Sequence, residues 1–486
     1  MTTTFSAARL LDGRLVDVSV NGGRIISVTP AGEIPATGEH VELDGHLLIP
    51  GLWDRHTHFT QWAQSSRRVR LDDADSAADA ARVLAAAAET RSGDVVGVGY
   101  RDALWPDAPH FTVLDEALGD DVDPERRVIA VSGDLHAVWL NSAALKALGY
   151  HEHPTGVLRE QDAFAVIDRL DDAPTETVDG WAHEAAEAAA ARGVVGIVDF
   201  EMGFAPEDWV RRFDAGFDEL RVEAAFYPER FDDALALAAG GAALDEAGLL
   251  TLGPLKVISD GSLNTRTAYL TEPYAGIAGE HHHGILTVPP RELVALLRRA
   301  EGEGLRAAVH AIGDHAVSHA LDAFAVTGAR GSVEHAQLIL DADLPRFGQL
   351  GVTASVQPEH AMDDREVAER YWGARSRRAF PLRSLLASGA RLAFGSDAPV
   401  APLDPWLAIA AAVFRTRGDL EPWHAEQTIT VEQAVAASVR STITPGQPAD
   451  LVVLGADPRQ ADVAGLRNQP VVATMVAGRF SYDAIR

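Results

Sequence analysis

The chain of 486 residues has no cysteine, which excludes disulfides, thiolate nucleophiles and Cys-ligated zinc or iron–sulfur centres. Any metal it holds must therefore sit on nitrogen and oxygen ligands. Lysine is almost as scarce: of 42 basic residues only Lys146 and Lys256 are lysines, the rest being arginine. Where arginine has replaced nearly every lysine, a surviving one is a candidate for chemistry that a permanently charged guanidinium cannot do. Lys146 lies in the helical stretch NSAALKALG and reads as a chance survivor. No apolar run approaches the ~20 residues needed to cross a bilayer. The N-terminal MTTTFSAARLLDGR lacks the basic-then-apolar pattern of a secretory signal, so the expected location is cytoplasmic. A net charge of -29 argues against nucleic acid as a partner, because contacts along a phosphate backbone need clustered cations. The expected partner is a small-molecule substrate, with neither nucleic acid nor membrane; the expected assembly is a homodimer.

What is present is an alternation of apolar runs with Ala/Leu/Arg-rich helical stretches. Eight runs read as parallel strands: 48–59, 194–201, 221–228, 252–260, 306–313, 332–338, 352–360 and 391–400. Strands separated by helical spacers predict an α/β chain built on a (β/α)₈ TIM barrel spanning 48–444. Residues 1–47 and 445–486 are rich in short strands with NGG and DG turn signals, which predicts a small β-sandwich shared by both termini. The interval from about 65 to 190 is too long for one strand–helix unit. It carries its own strand signals, DVVGVGYR and RRVIAVSGD, and reads as an α/β subdomain inserted after the first barrel strand.

Polar residues gather at the C-terminal ends of the barrel runs, where barrel active sites lie. His56 and His58 end the first run, and i, i+2 spacing puts both imidazoles on one face of a strand. Spacing alone is weak, since His151/His153 and His281/His283 share it; only the first pair follows a buried-strand pattern. The triplet His281–His283 reads as a solvated turn. Lys256 lies inside the fourth run, where a buried ammonium is costly unless paired or modified. Three readings stay open for it: a carbamate formed with CO₂ (N6-carboxylysine) that bridges two metals, a ligand-sphere or substrate contact, or a structural ion pair with Asp260 or another carboxylate. His310 and His335 interrupt the next two runs near their ends, and read as metal ligands or as hydrogen-bonded core histidines. Asp397 follows LAFGS at the end of the eighth run, as metal ligand and proton acceptor or as a helix N-cap. Four imidazoles, a lysine and a carboxylate suit one or two divalent cations, zinc first. Such a cation lowers the pKa of water from ~15.7 to about 7 and polarises a scissile carbonyl.

Together these motifs resemble the amidohydrolase superfamily, and within it the amidohydrolase-3 or YtcJ-like metal-dependent hydrolases, to which N-substituted formamide deformylase is related. The resemblance rests on PGLWDRHTHF, GDLHAVWLNSAAL, PTGVLRE, LKVISDGSLNTRTAYLTEPY, HAIGD, VEHAQ, SVQPEH, FGSDAPV and TPGQPADLVVL, in that order along nearly the whole chain. It implies hydrolysis of a C–N bond other than a peptide bond: an amide, an N-formyl or N-acyl amine, or a cyclic amide. By position, it implies that His56 and His58 hold one metal, His310 and His335 the second, that Lys256 bridges them, and that Asp397 is ligand and base. It also implies that Asp134, His136, Trp139 and His360 face substrate. Trp139 reads equally well as core of the inserted segment. Arg266 is a candidate for a substrate carboxylate or for a surface salt bridge. Two departures stand out: Asn264-Thr265 replaces the usual Gly-Ser after DGSL, and there is no cysteine to bridge metals as in similar D-aminoacylases. The alternatives are deamination of a heterocycle and a non-catalytic metal or small-molecule binder; the presence of Asp397 argues against the latter.

Overall fold

The computed structural model describes residues 2–33, 38–90, 93–100, 102, 105–119, 123–133, 137–159, 161–171 and 173–485. The chain divides into two compact units, Met1–Trp62 with His183–Arg486, and Ala63–Ala182.

The first unit is organised by eight parallel strands, β1 (Leu52–Thr57), β2 (Val194–Asp199), β3 (Arg221–Phe226), β4 (Leu250–Ile258), β5 (Ala307–Ala311), β6 (Gly331–His335), β7 (Thr353–Val356) and β8 (Arg391–Phe394), hydrogen-bonded in chain order. Strands buried on both faces are apolar throughout, which is why they were visible as runs; every residue of β2 is buried. The ring closes beyond β8, where Asp397 N donates to His56 O at 2.7 Å and His58 N to Ala398 O at 2.8 Å. Asp54 straps the seam, its carboxylate accepting from the backbone N–H of His56 at 3.1 Å and of Ser396 at 2.9 Å. Around the strands, helices bury one stripe each, as Pro290–Gly302 does with Leu293, Leu297 and Ala300.

Both termini contribute to one further eight-stranded sheet of the same unit. Its path runs Arg479–Asp483, Val471–Val476, Leu451–Leu454, Leu47–Pro50, Thr3–Arg9, Leu15–Asn21, Arg24–Pro30, with Glu39–Glu42 alongside Thr3–Arg9. Rather than forming two separate layers, this sheet curls. Phe5 and Phe480 lie on strands four places apart, yet their ring centroids are 6.0 Å apart. An irregularity between Phe5 and Ala8 gives the bend. Arg221 of β3 pairs with Asp450 at 2.7 Å and fixes the sheet to the barrel. The second unit has its own five-stranded sheet, in the order Val157–Arg159, Ala137–Leu140, Val128–Ser132, Val95–Tyr100, Val69–Arg70. Among the described residues no helix is long and apolar enough to cross a membrane.

Candidate metal centre

The C-terminal ends of the barrel strands bring six of the expected residues into one polar pocket. His56 comes from the end of β1 and His58 just after it, Lys256 from β4, His310 from β5, His335 from β6, and Asp397 from the turn after β8. His360, which opens the helix His360–Trp372 after β7, joins them. His56 Nε2 and His58 Nε2 lie 3.4 and 3.3 Å from Asp397 Oδ1, and His360 Nε2 lies 3.9 Å from Asp397 Oδ2. Two donor groups result, His56/His58/Asp397 and His335/His360/Asp397, with all ligand atoms of each within 4.8 Å of one another. Donors held ~2.1 Å from a tetrahedral cation are about 3.4 Å apart, so the first group has the spacing a cation needs. Buried ring nitrogens without hydrogen-bond partners, His335 Nδ1 and His360 Nε2, fit the same reading.

His310 stands differently. Its Nε2 is 3.3 Å from Gly261 O and 3.5 Å from Asp260 Oδ1, although its ring packs 4.4 Å from that of His335. The donor spacing thus associates His335 with His360 more closely than with His310. Asp260 does not meet Lys256; it accepts backbone N–H groups of Tyr269, Ile312 and Gly313, and burial pushes its carboxyl up to about 7.

Lys256 is 2% exposed, with Nζ 3.1 Å from His56 Nε2 and 4.2 Å from the Phe200 ring centroid. Burial pulls its ammonium down to about 8 against the attraction of Glu334 and Asp397. Burial opposes the charge on Asp397, but His56, His58 and His335 outweigh it and hold the carboxyl well below its usual range. Burial, with Lys256 nearby, lowers His56. Burial also lowers His335 strongly and takes His310 to about 3. Lowering favours the neutral imidazole, the form that binds metal. Asp397 (φ 58°) and His335 (φ 67°) both adopt the left-handed conformation that non-glycine residues avoid. Asp397 caps no helix; Asp404 caps the next one, accepting from Trp406 N at 3.0 Å.

Glu334 was not singled out from the sequence. It is 1% exposed and accepts from His56 Nδ1 at 2.8 Å, which fixes the tautomer that leaves Nε2 facing Asp397. The signal that could have found it is the one that found Lys256, a charge inside an apolar strand. Gly395 is also needed: a Cβ there would come within 2.6 Å of His56 N and 2.7 Å of His56 Cβ. We expect Glu334→Gln to weaken zinc binding by about 10- to 100-fold. Competition with a chromophoric chelator measures this, and unchanged affinity would remove Glu334 from the role.

The remaining sequence candidates are dispersed. Asp134 and His136 lie outside the described residues. Trp139 is fully buried in the core of the second unit, 6.3 Å from the Tyr100 ring, the packing role weighed against substrate contact. Arg266 is exposed, lies over the Tyr371 ring at 5.4 Å and donates to Asn264 O at 3.2 Å. Asn264 in turn donates to the buried Asp364 at 3.1 Å, which also accepts from Gln337 at 2.5 Å, so the departing loop is tied to the helix that His360 opens.

A family model described as the amidohydrolase family matches residues 39–482. The chain belongs to that family. Among curated relatives, the protein LONG AFTER FAR-RED 3 of Arabidopsis thaliana is 29% identical, over 96% of this chain and 88% of that one. The putative amidohydrolase YtcJ of Bacillus subtilis is 26% identical, over 92% and 90%. N-substituted formamide deformylase of Arthrobacter pascens is 24% identical, over 96% and 94%. Among solved structures, an uncharacterized metal-dependent hydrolase from Pyrococcus furiosus superposes with a TM-score of 0.76 at 26% identity, over 95% of this amidohydrolase chain and all (100%) of that one.

Proposed function

We propose that the chain is a metal-dependent hydrolase that cleaves a non-peptide C–N bond in a small molecule, an N-formyl or N-acyl amine or a cyclic amide. The observation that carries this reading is the convergence of His56 Nε2 and His58 Nε2 on one oxygen of Asp397 at 3.4 and 3.3 Å, at the mouth of a barrel. The similarity to a formamide deformylase supports the choice of bond. A divalent cation, zinc first, would be held by His56, His58 and Asp397, with His335 and His360 as a second set, and supplies Lewis acidity toward the carbonyl and toward water. The protein's own residues do the rest. Asp397, anionic across the neutral range, accepts the proton that water gives up and returns it to the leaving nitrogen, which otherwise departs as a poor anion. Glu334 keeps the His56 ring in register. Lys256, pulled down to about 8, is neutral in about one molecule in ten at pH 7. Its free amine would form an N–C bond to CO₂ and give up its proton to water, and the resulting carboxylate would supply two further oxygen ligands beside His56.

The test is hydrolysis of a panel of N-formyl and N-acyl amines by the protein as purified, after chelation, and after zinc is returned. Activity lost on chelation and restored by zinc is the expected result. No turnover across the panel by zinc-loaded protein, with ammonia released from aminated heterocycles instead, overturns the choice of bond in favour of deamination. No turnover of either kind leaves a binder and ends the catalytic reading.

A further inference from the structure

Below the histidines, a cavity of about 600 Å³ is lined chiefly by residues at the beginnings of β5 to β8 and reaches Val198, Phe200 and Glu334 at the far ends of their strands. Its wall carries five arginines, Arg55, Arg306, Arg330, Arg391 and Arg440, against two carboxylates, Glu223 and Glu334. This runs against the composition of a chain with a net charge of -29. Both carboxylates are already committed. Glu223 pairs with Arg306 at 2.7 Å and Arg440 at 2.6 Å, and although burial opposes its charge, the two guanidiniums hold its carboxyl down at about 2. Glu334 accepts from His56 and from Ser332.

Among the described residues neither Arg330 nor Arg391 forms an ion pair, and Arg55 feels the charges of Glu223 and Glu334 without a direct ion pair to either. Arg330 and Arg391 are exposed, and Arg330 spends one donor on Gly304 O at 3.3 Å. Arg55 is the decisive one. The pairing of β1 with β2 advances from Asp54 to Thr57 while β2 advances only from Ile197 to Asp199. This extra residue lets Arg55 line the cavity although the adjacent His56 faces the metal pocket. The Arg55 Nε is buried and has no hydrogen-bond partner. A guanidinium nitrogen buried without a hydrogen-bond partner costs free energy that an apolar atom there would not.

We propose that this cavity is a binding site for a phosphate group, with Arg55 at its floor and Arg330 and Arg391 at its rim. The planar guanidinium fork matches phosphate oxygens two at a time, and three forks around one cavity select a polyanion over chloride. The volume falls within the range of small-molecule sites and exceeds one phosphate ion, so a phosphate ester of a small metabolite fits as well as the free ion. Glu334 and Phe200 line this cavity and also touch His56 and Lys256, so it lies directly beneath the proposed hydrolytic centre; phosphate binding at its arginines does not depend on which bond that centre cleaves.

Titration calorimetry of the intact, zinc-loaded protein, at constant ionic strength in chloride, tests it with inorganic phosphate in one arm and glycerol phosphate in the other. We expect saturable binding, weakened about tenfold or more in the Arg330→Gln/Arg391→Gln double variant and unchanged in Arg14→Gln, a surface change on the terminal sheet. Tighter binding of the ester identifies an ester as the ligand; equal binding identifies the free ion. Arg55→Met is expected to abolish binding, and if that variant does not fold, the rim pair carries the test alone. Heat that does not saturate overturns the proposal. So does an affinity unchanged in the rim variant, which would place the phosphate at the metal centre instead.

Discussion

Replacing Asp397 by asparagine should leave the metal in place and lower kcat by roughly 10³-fold or more, with little change in KM. The substitution is nearly isosteric. His56, His58, His335 and His360 remain to hold the cation, and the amide oxygen can still approach it. What disappears is the anion. His56, His58 and His335 hold the Asp397 carboxyl well below its ordinary range, so in the native protein it is anionic at neutral pH and able to take a proton. An amide has no such capacity, so attack by water and departure of the amine both lose their proton carrier. Metal content by mass spectrometry beside kcat on an N-formyl amine decides the matter. A near-normal rate with metal bound would remove Asp397 as the base, and a rate loss that tracks metal loss would reduce it to a ligand.

How much of this was legible in the sequence follows from what burial does to residue choice. Barrel strands covered on both faces must be apolar, so Val194–Asp199 or Arg391–Phe394 announces itself, and a histidine, lysine or aspartate at the end of such a run stands out. Position along a strand predicts depth in the barrel. It does not predict which way consecutive residues point where the backbone departs from regular pleating. Glu334 and His335 are neighbours, and strict alternation would send one of them outward. The left-handed conformation at His335 lets both reach the site. The extra residue in β1 does the same for Arg55 and His56. Neither irregularity has a glycine or proline to mark it. The curl of the terminal sheet likewise depends on a register shift between Phe5 and Ala8 that composition does not encode. The donor spacing that links His335 with His360 is a property of three-dimensional distances between β6 and the helix after β7, and the linear order offers no substitute for it.

The largest consequence of that geometry falls on Lys256, one of two lysines in the chain and buried against His56 of the first donor group. If the carboxylated side chain is the bridge, Lys256→Ala should lower both metal stoichiometry and kcat by about 100-fold or more for the rate, and small carboxylates such as acetate, or bicarbonate, should partly restore both. The truncation opens a space between Phe200 and His56 that a two- or three-atom carboxylate fills, placing its oxygens where the carbamate had them. A simple structural lysine predicts otherwise: its removal leaves a cavity, lowers stability by an amount typical of buried side-chain truncation, and gives exogenous carboxylates nothing to replace. Protein equilibrated with ¹³C-bicarbonate separates the two without reference to turnover, because a carbamate gives a carbonyl resonance that is absent from Lys256→Ala. No such resonance, together with full metal retention and no rescue, leaves a single-metal centre on His56, His58 and Asp397, with Lys256 as a charge held against His56.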